Sequence, residues 1–328
     1  MLRNLLCASV LAVASPAGFA ADNSFIGNWA LTIPDGGAGW LGLQESRGQL
    51  KGEILWGGGS VLPVSSARIE GNTLVIQRIY ESKPGDASGN AVIAREVETI
   101  KAKLEGDDLK LTTEREKEGK VSGKASFSGK RIPPVPPSPD FSKLTFGAPI
   151  ELFNGKDLNG WKVMGAPNGW RVENGVLIND AKQETGGHKS YANIRTEREF
   201  EDFNLTLETR VPKDGNSGIY LRGIYEVQVA DSYGKEKDSH HMGGIYSRIT
   251  PTENAARPAG EWQTYDITLV NRHVTVILNG RKIIDNQPLL GCTGGALWSD
   301  ESRPGPIYLQ GDHASVDYRN IILRPIMK

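Results

Sequence analysis

The chain has 328 residues, with 38 Lys and Arg against 39 Asp and Glu and a formal net charge of −1. Near-neutral charge without a basic run leaves no footprint for nucleic acid or for an acidic membrane surface, so neither is expected as a partner. The length predicts two domains, each large enough for a core of its own.

Residues 1–21 read as a signal peptide. Arg3 precedes an apolar run over residues 5–13, and Gly18 and Ala20 stand at the −3 and −1 positions of a cleavage site. The run is too short to span a bilayer, so no membrane insertion is expected and the mature protein is placed in the periplasm or outside the cell. Loss of Cys7 with this segment leaves Cys292 alone, which excludes an intrachain disulfide. Cys292 reads as a buried or loop thiol rather than a nucleophile.

Residues 22–130 read as short strands separated by glycine turns. Hairpin signals stand at Arg47-Gly48, Gly71-Asn72 and Gly106-Asp107, and no helical period reaches ten residues. This predicts a small antiparallel β-barrel or sandwich with an accessory binding or packing role; its opening IGNWALTI resembles the Gly-x-Trp start of lipocalin-like barrels. Residues 131–140, beginning RIPPVPPSP, form a Pro-rich linker that should run extended as a semi-rigid spacer.

Residues 141–328 form the second predicted domain. Asn174-Gly175 makes a hairpin, FEDFNLTLETRVP alternates Phe203, Leu205 and Leu207 inward, and residues 261–286 hold three strands joined at Asn271-Arg272 and Asn279-Gly280. The closing segment around PIYLQGDHASVDYRNIIL reads as one more hairpin, turning near His313 to Ser315. Many short strands with little helix predict an all-β, jelly-roll or lectin-like sandwich.

Residues 216–246 carry the chemistry. NSGIYLRGIYEVQV predicts a hairpin whose connection at residues 223–225 pairs Leu221 with Val227, Ile219 with Val229, Arg222 with Glu226 and Tyr220 with Gln228. One face is then apolar, and the other carries Tyr220, Arg222, Glu226 and Gln228. By analogy with sandwiches that bind sugars on a sheet face through planar amides, Arg and aromatic rings, this face is a candidate sugar site. The loop beyond it holds Asp231, His240 and His241; adjacent histidines face opposite ways, so at most one should enter a site. No metal-ligand spacing stands out, which leaves a divalent metal, catalytic or structural calcium, as an open possibility and no other cofactor. Gln310 and Asp312 should share a face at a strand end, with His313 either in the site or capping the turn. His188 and His273 read as solvated.

Other chemistries lack their motifs: there is no phosphate loop, no G-x-S-x-G elbow and no dinucleotide fingerprint. Two-carboxylate glycoside hydrolysis is disfavoured, because the central strand offers Glu226 followed by the amide of Gln228 where a second acid is needed.

Residues of about 147–327 resemble the 3-keto-disaccharide hydrolase domain family. The resemblance is carried in order by LFNGKDLNGWKV, WRVENGVL, NSGIYLRGIYEVQV, DSYG, GGIYSRITPTENAARPAGEWQTYDI, VILNG, GPIYLQGDH and VDYRNIILRP. It implies a concanavalin-like sandwich that acts on glycosides whose sugar is a ketone at C3. A ketone there acidifies the C2 proton, so one base can start elimination of the C1 substituent, and water can add back. On this reading His240 or Glu226 is the base, and Arg222 and Gln228 hold the keto sugar and its enolate. Tyr220, Asp231, His241, Gln310 and His313 complete the binding groups. The alternatives are a conventional glycosidase and a non-catalytic sugar-binding module.

Overall fold

The computed structural model describes residues 24–34, 37–82, 94–181 and 189–327. The predicted signal peptide and His188 lie outside the described residues. No helix among the described residues is long and apolar enough to cross a membrane.

The first domain is an antiparallel meander. Its strands are β1 (Gly27–Thr32), β2 (Ala38–Ser46), β3 (Gln49–Trp56), β4 (Leu62–Pro63), β5 (Ser66–Glu70), β6 (Thr73–Ser82), β7 (Ala94–Glu105), β8 (Asp108–Lys117) and β9 (Lys120–Arg131). β1 pairs with both β2 and β9. β4 and β5 close the other side. β4 pairs with β3 and β5 with β6, and between them Val64 N donates to Gly52 O (2.9 Å) and Ser65 N to Gln77 O (2.8 Å). The nine-strand sheet thus curls so that its two end strands meet along one continuous segment, in the manner of a barrel. Alternation along β8 turns Leu109 and Leu111 inward, where they meet Trp29, Leu31, Leu41, Ile54 and Ile76. Turn chemistry sets the corners: Arg47 and Gly48 both adopt positive φ (54° and 72°), as a tight hairpin requires.

The second domain contains β10 (Thr145–Phe146), β11 (Ile150–Glu151), β12 (Trp161–Met164), β13 (Trp170–Glu173), β14 (Val176–Asn179), β15 (Asn193–Thr196) and β16 (Phe203–Arg210). The central hairpin is β17 (Asn216–Leu221) and β18 (Tyr225–Ala230). β19 (Gln263–Val270), β20 (His273–Leu278), β21 (Arg281–Pro288), β22 (Tyr308–Leu309) and β23 (Val316–Met327) follow. One sheet runs β13-β14-β23-β16-β19-β20-β21, with β10 and β11 on β23; the other runs β12-β15-β22-β17-β18. Phe203, Leu205, Leu207, Ile267 and Val276 of the first face Ile194, Ile219, Val227 and Leu309 of the second across one core. The predicted all-β sandwich is what forms.

Three local expectations are corrected. The central hairpin pairs Leu221 with Tyr225, Tyr220 with Glu226, Ile219 with Val227 and Gly218 with Gln228. Its turn falls at Arg222 and Gly223, both at positive φ (56° and 66°). A slip of two residues preserves parity, so the apolar and polar faces keep their members while the Arg222–Glu226 pair is lost. The closing segment is not a hairpin: β22 pairs with β15 and β17, whereas β23 belongs to the other sheet, so residues 310–315 cross between sheets. His273 is buried rather than solvated, with its Nδ1 donating to Asn271 O (2.9 Å).

The barrel packs directly on the sandwich. Ala38, Trp40, Leu55 and Ile132 join the sandwich core cluster, and the Arg248 guanidinium lies 4.1 Å from the centre of a Trp40 ring. The linker has no regular structure and is docked: Arg272 donates to Pro133 O (2.7 Å) and Asn286 to Ser138 Oγ (2.7 Å). Arg272 also pairs with Glu301, whose side chain is 1% exposed, at 2.7 Å. Glu301→Ala would leave that guanidinium buried without its counter-charge. It is expected to lower unfolding free energy by about 3–5 kcal/mol, measured by chemical denaturation.

Candidate active site

The polar face of the central hairpin is buried, against the ordinary habit of a sheet face on the outside of a sandwich. Tyr220 and Glu226 stand opposite each other across β17 and β18 and are 1% and 3% exposed. Tyr220 Oη lies 3.0 Å from Glu226 Oε2 and 2.7 Å from Gly294 O. The Glu226 backbone N–H donates to Thr293 Oγ1 (2.9 Å). Gly218 makes room for the carboxyl, because a Cβ there would stand 2.2 Å from Glu226 Oε1. Gly295 does the same for the phenol, at 2.6 Å.

Burial pushes Glu226 from its ordinary 4.5 up to about 8, only partly opposed by the Tyr220 hydrogen bond, and the Asp312 carboxylate raises it further. That opposition applies while the carboxyl is ionised and accepts the phenol proton; a protonated carboxyl can donate instead. A phenol carries one proton and a carbonyl can only accept. Both Tyr220 contacts are satisfied together when the phenol donates to Gly294 O and a protonated Glu226 donates to the phenol. The neutral acid is therefore the form that burial favours for Glu226.

Beside these groups lies a cavity of about 170 Å³. Asn216, Tyr220 and Glu226 line it from the hairpin, Tyr246 from the following loop, and Gln310, Asp312 and His313 from the crossover. Gly294 and Gly295 form part of the wall, and Gly58 and Gly59 of the barrel form another part. Gln228 Nε2 donates to Asn216 Oδ1 (3.2 Å), which leaves the Asn216 amide N–H groups as donors for the cavity. Gln310 Oε1 is buried with no hydrogen-bond partner among the described residues, an acceptor that a sugar hydroxyl would satisfy. His313 Nδ1 lies 3.5 Å from Asp312 Oδ1. Larger depressions, of about 740 and 780 Å³, lie on the barrel surface, but neither is lined by a histidine or a buried acid. The ionisable groups single out the smaller cavity.

Tyr220, Glu226, Gln310 and His313 all line this one cavity. Gln228 sits behind them, its amide also donating to His240 O (3.1 Å). His240 stands at the rim, its ring edge against Tyr246 at 4.7 Å between centroids and its side chain 42% exposed. Its Nδ1 lies 2.6 Å from Asp238 Oδ1 and its Nε2 2.9 Å from Ser60 Oγ of the barrel.

Three residues stand elsewhere. Arg222 occupies the turn and donates to Glu301 O (2.7 Å) and to Arg303 O, tying down the residues beyond Thr293. Asp231 accepts from Asp214 N (3.0 Å) and His241 donates from Nδ1 to Glu236 O (2.6 Å); neither lines the cavity. Cys292 is fully buried, and burial pushes its thiol up to about 12, so no thiolate forms near pH 7. Among the described residues no group of three or more His, Cys, Asp or Glu side chains is placed to hold a metal ion.

Sequence reasoning missed Asn216, Tyr246 and the role of Asp312. Asn216 was within reach, since it shares the parity of Tyr220 on β17. Tyr246 was not: residues 243–246 pair along the free edge of β18, through Gln228 N to Gly244 O and Tyr246 N to Glu226 O, a contact that no local pattern announces. Asp312 supplies from the crossover the second carboxyl that the central strand lacks.

Residues 148–324 match the family of 3-keto-alpha-glucoside-1,2-lyase-like domains, which is more than half of the chain. The chain belongs to this family. A curated relative, a 3-keto-disaccharide hydrolase of Bacteroides thetaiotaomicron, is 27% identical over 172 residues. That match covers 42% of this chain, which spans only 57% of the relative's length. Among solved structures, a candidate glycosyl hydrolase from Parabacteroides distasonis is 33% identical, with 60% of this chain and 94% of that one covered and a TM-score of 0.45. A carbohydrate-binding module from Bacillus subtilis is 13% identical, with 49% and 93% covered and a TM-score of 0.34.

The raised pKa of Glu226 has a consequence for stability. Native Glu226 keeps its proton until about pH 8, whereas an unfolded chain releases it near 4.5. The contribution is therefore fully present below pH 4.5 and is lost as pH rises to about 8, on the order of a few kcal/mol in all. Glu226→Gln should gain stability relative to wild type as pH is raised through that window, measured by denaturation at pH 5 and pH 8.5. Equal differences at both values would mean that Glu226 is ionised in the native state.

Proposed function

We propose that this protein cleaves the glycosidic bond of 3-keto-glycosides by elimination across C1 and C2, followed by addition of water. The observation that carries the reading is a buried Glu226, which burial inclines to keep its proton, in a small cavity that also holds an imidazole beside a carboxylate. Elimination needs an acid and a base, because the C2 proton must be taken while the C1 oxygen leaves. Glu226 is the acid: neutral at pH 7, it gives its proton to the departing glycosidic oxygen as the C1–O bond breaks.

His313 is the base, replacing His240 in the assignment because it lines the cavity whereas His240 stands at its rim. It takes the proton from C2, and the Asp312 carboxylate stabilises the imidazolium that results. Electrons from the C2–H bond pass through the enolate of the C3 ketone to form the C1–C2 double bond. The Asn216 N–H groups stabilise that enolate oxygen. Return of a proton to C2 and of water to C1 gives the free keto sugar, so the net reaction is hydrolysis.

A second reading is favoured by one observation: Asp312 shares the cavity with Glu226 and pushes its pKa up. Two carboxyls, one protonated and one not, are the equipment of an ordinary glycosidase acting on an unoxidised sugar.

The deciding experiment compares a nitrophenyl glucoside with its 3-keto derivative in deuterated water, with and without chelator. Cleavage of the keto substrate alone, with deuterium at C2 of the product, is expected. Cleavage of both without deuterium would establish the two-carboxylate route, and binding without cleavage a sugar-binding module. Loss of activity with chelator would add a metal. For the acid, Glu226→Gln is expected to lower kcat by roughly 10²–10⁴-fold. The wild-type rate should fall on an alkaline limb near pH 8, and a rate independent of pH up to 10 would remove Glu226 from this role.

A further inference from the structure

The family match begins at residue 148, yet the cavity does not stop at that boundary. The barrel loop between β3 and β4, residues 57–61, reaches across to it. Gly58 and Gly59 line the cavity. Both flanks of the loop are fixed to the sandwich. Gly295 N donates to Gly57 O (3.3 Å), Ser60 Oγ meets His240 Nε2 (2.9 Å), and Val61 N donates to Ser247 Oγ (2.9 Å). At the middle, Gly294 lies so close that a Cβ on it would come within 2.2 Å of Gly59 O. Anchors on either side and a backbone contact between them make this segment a wall rather than a loose flap.

We propose that this loop is part of the active site and that Gly58 determines which sugars enter it. This rests on the reading of the cavity as a keto-sugar site and deepens it. The two glycines serve different ends. Gly59 sits at φ +79°, a conformation that excludes most side chains on backbone grounds. Gly58 has an ordinary backbone, and a Cβ built on it meets no atom within 4 Å. Neither strain nor packing requires glycine at this position. Its bareness keeps open the space beside the cavity. At about 170 Å³ the cavity is well below the roughly 300–1,000 Å³ of pockets for larger ligands, so it takes one sugar ring and any side chain at the wall competes for that room. The barrel thus limits the enzyme to a terminal keto-sugar unit, with the leaving group outside.

Gly58→Leu tests this in the full chain, with Gly58→Ala as a graded step and Gly123→Leu as a control on β9, where a Cβ also meets nothing. Gly58→Leu is expected to keep the wild-type melting temperature while kcat/KM for the 3-keto glucoside falls by roughly 10-fold or more, mainly through KM. Equilibrium binding of the 3-keto sugar should weaken in parallel, Gly58→Ala should lie between, and Gly123→Leu should match wild type. Ser60→Ala should raise KM by releasing one flank, and Ser60→Thr should restore it. Wild-type kcat/KM and binding in Gly58→Leu would overturn the proposal, as would an equal loss in Gly123→Leu. If wild type neither binds nor cleaves the keto sugar, the functional reading fails first and takes this proposal with it. That failure is visible without any variant.

Discussion

A carboxylic acid withheld from water sets the terms for everything around it. Burying an ionised carboxylate costs far more than burying a neutral acid, so Glu226 holds its proton and requires neighbours suited to the neutral form. Tyr220 supplies an oxygen that can accept from it, and Gly294 a carbonyl that takes the phenol proton in turn. Gly218 and Gly295 give up side chains so that the two groups fit. Thr293 satisfies the backbone N–H of Glu226 and, through its own N–H to Ile224 O, fastens the covering segment to the hairpin. The acid, the tyrosine and the glycines form one packing problem with one solution.

That solution depends on a second domain. An outward-facing sheet surface is wet unless something lies over it, and here part of the cover is the barrel. Its docking is apolar where Trp40 and Leu55 join the sandwich core, and electrostatic where Arg248 lies over Trp40 and donates to Cys292 O (2.6 Å). Gly291 concedes space to the same tryptophan. Arg272 ties Glu301 and the linker carbonyl of Pro133 together, and Arg222 holds the carbonyls of Glu301 and Arg303. A run of arginines therefore braces the covering segment and barrel whose positions cover the site. This explains why Arg222, on sequence alone the natural partner of Glu226, serves instead as a fastening of the turn.

Much of the fold was legible because strand parity and turn chemistry are local. Asn174-Gly175, Asn279-Gly280 and Arg47-Gly48 fall at positive φ, as hairpins of their kind demand. Parity also survived the error in the central register, since a slip of two residues leaves Tyr220, Glu226 and Gln228 on one face. What stayed hidden was non-local. His240 reads as a site base, but which way its ring turns depends on Ser60 of the barrel, 180 positions away. Asp231 and His241 looked like loop ligands, yet each spends its side chain on a nearby backbone group. The barrel reads from its sequence as an accessory domain because Gly58 and Gly59 have no functional group to notice.

The error over the closing segment is the most instructive, because its correction locates the chemistry. Had β22 and β23 formed a hairpin, residues 310–315 would be a turn at the end of one sheet, pointing to solvent. Because β22 lies in the small sheet and β23 in the large one, those residues pass across the end of the sandwich. Gln310 is held on β17 through its N–H to Gly218 O, and Asn179 holds Gly311 O from the opposite sheet. A segment fixed at both ends by different sheets has little freedom, which suits side chains that must hold a position against a substrate. Asp312 and His313 are delivered to the cavity by this passage, just where the raised pKa of Glu226 registers a nearby negative charge. The proposed catalytic arrangement is thus a product of topology: the hairpin brings Glu226, the change of sheet brings Asp312 and His313, and the barrel closes part of the space between them.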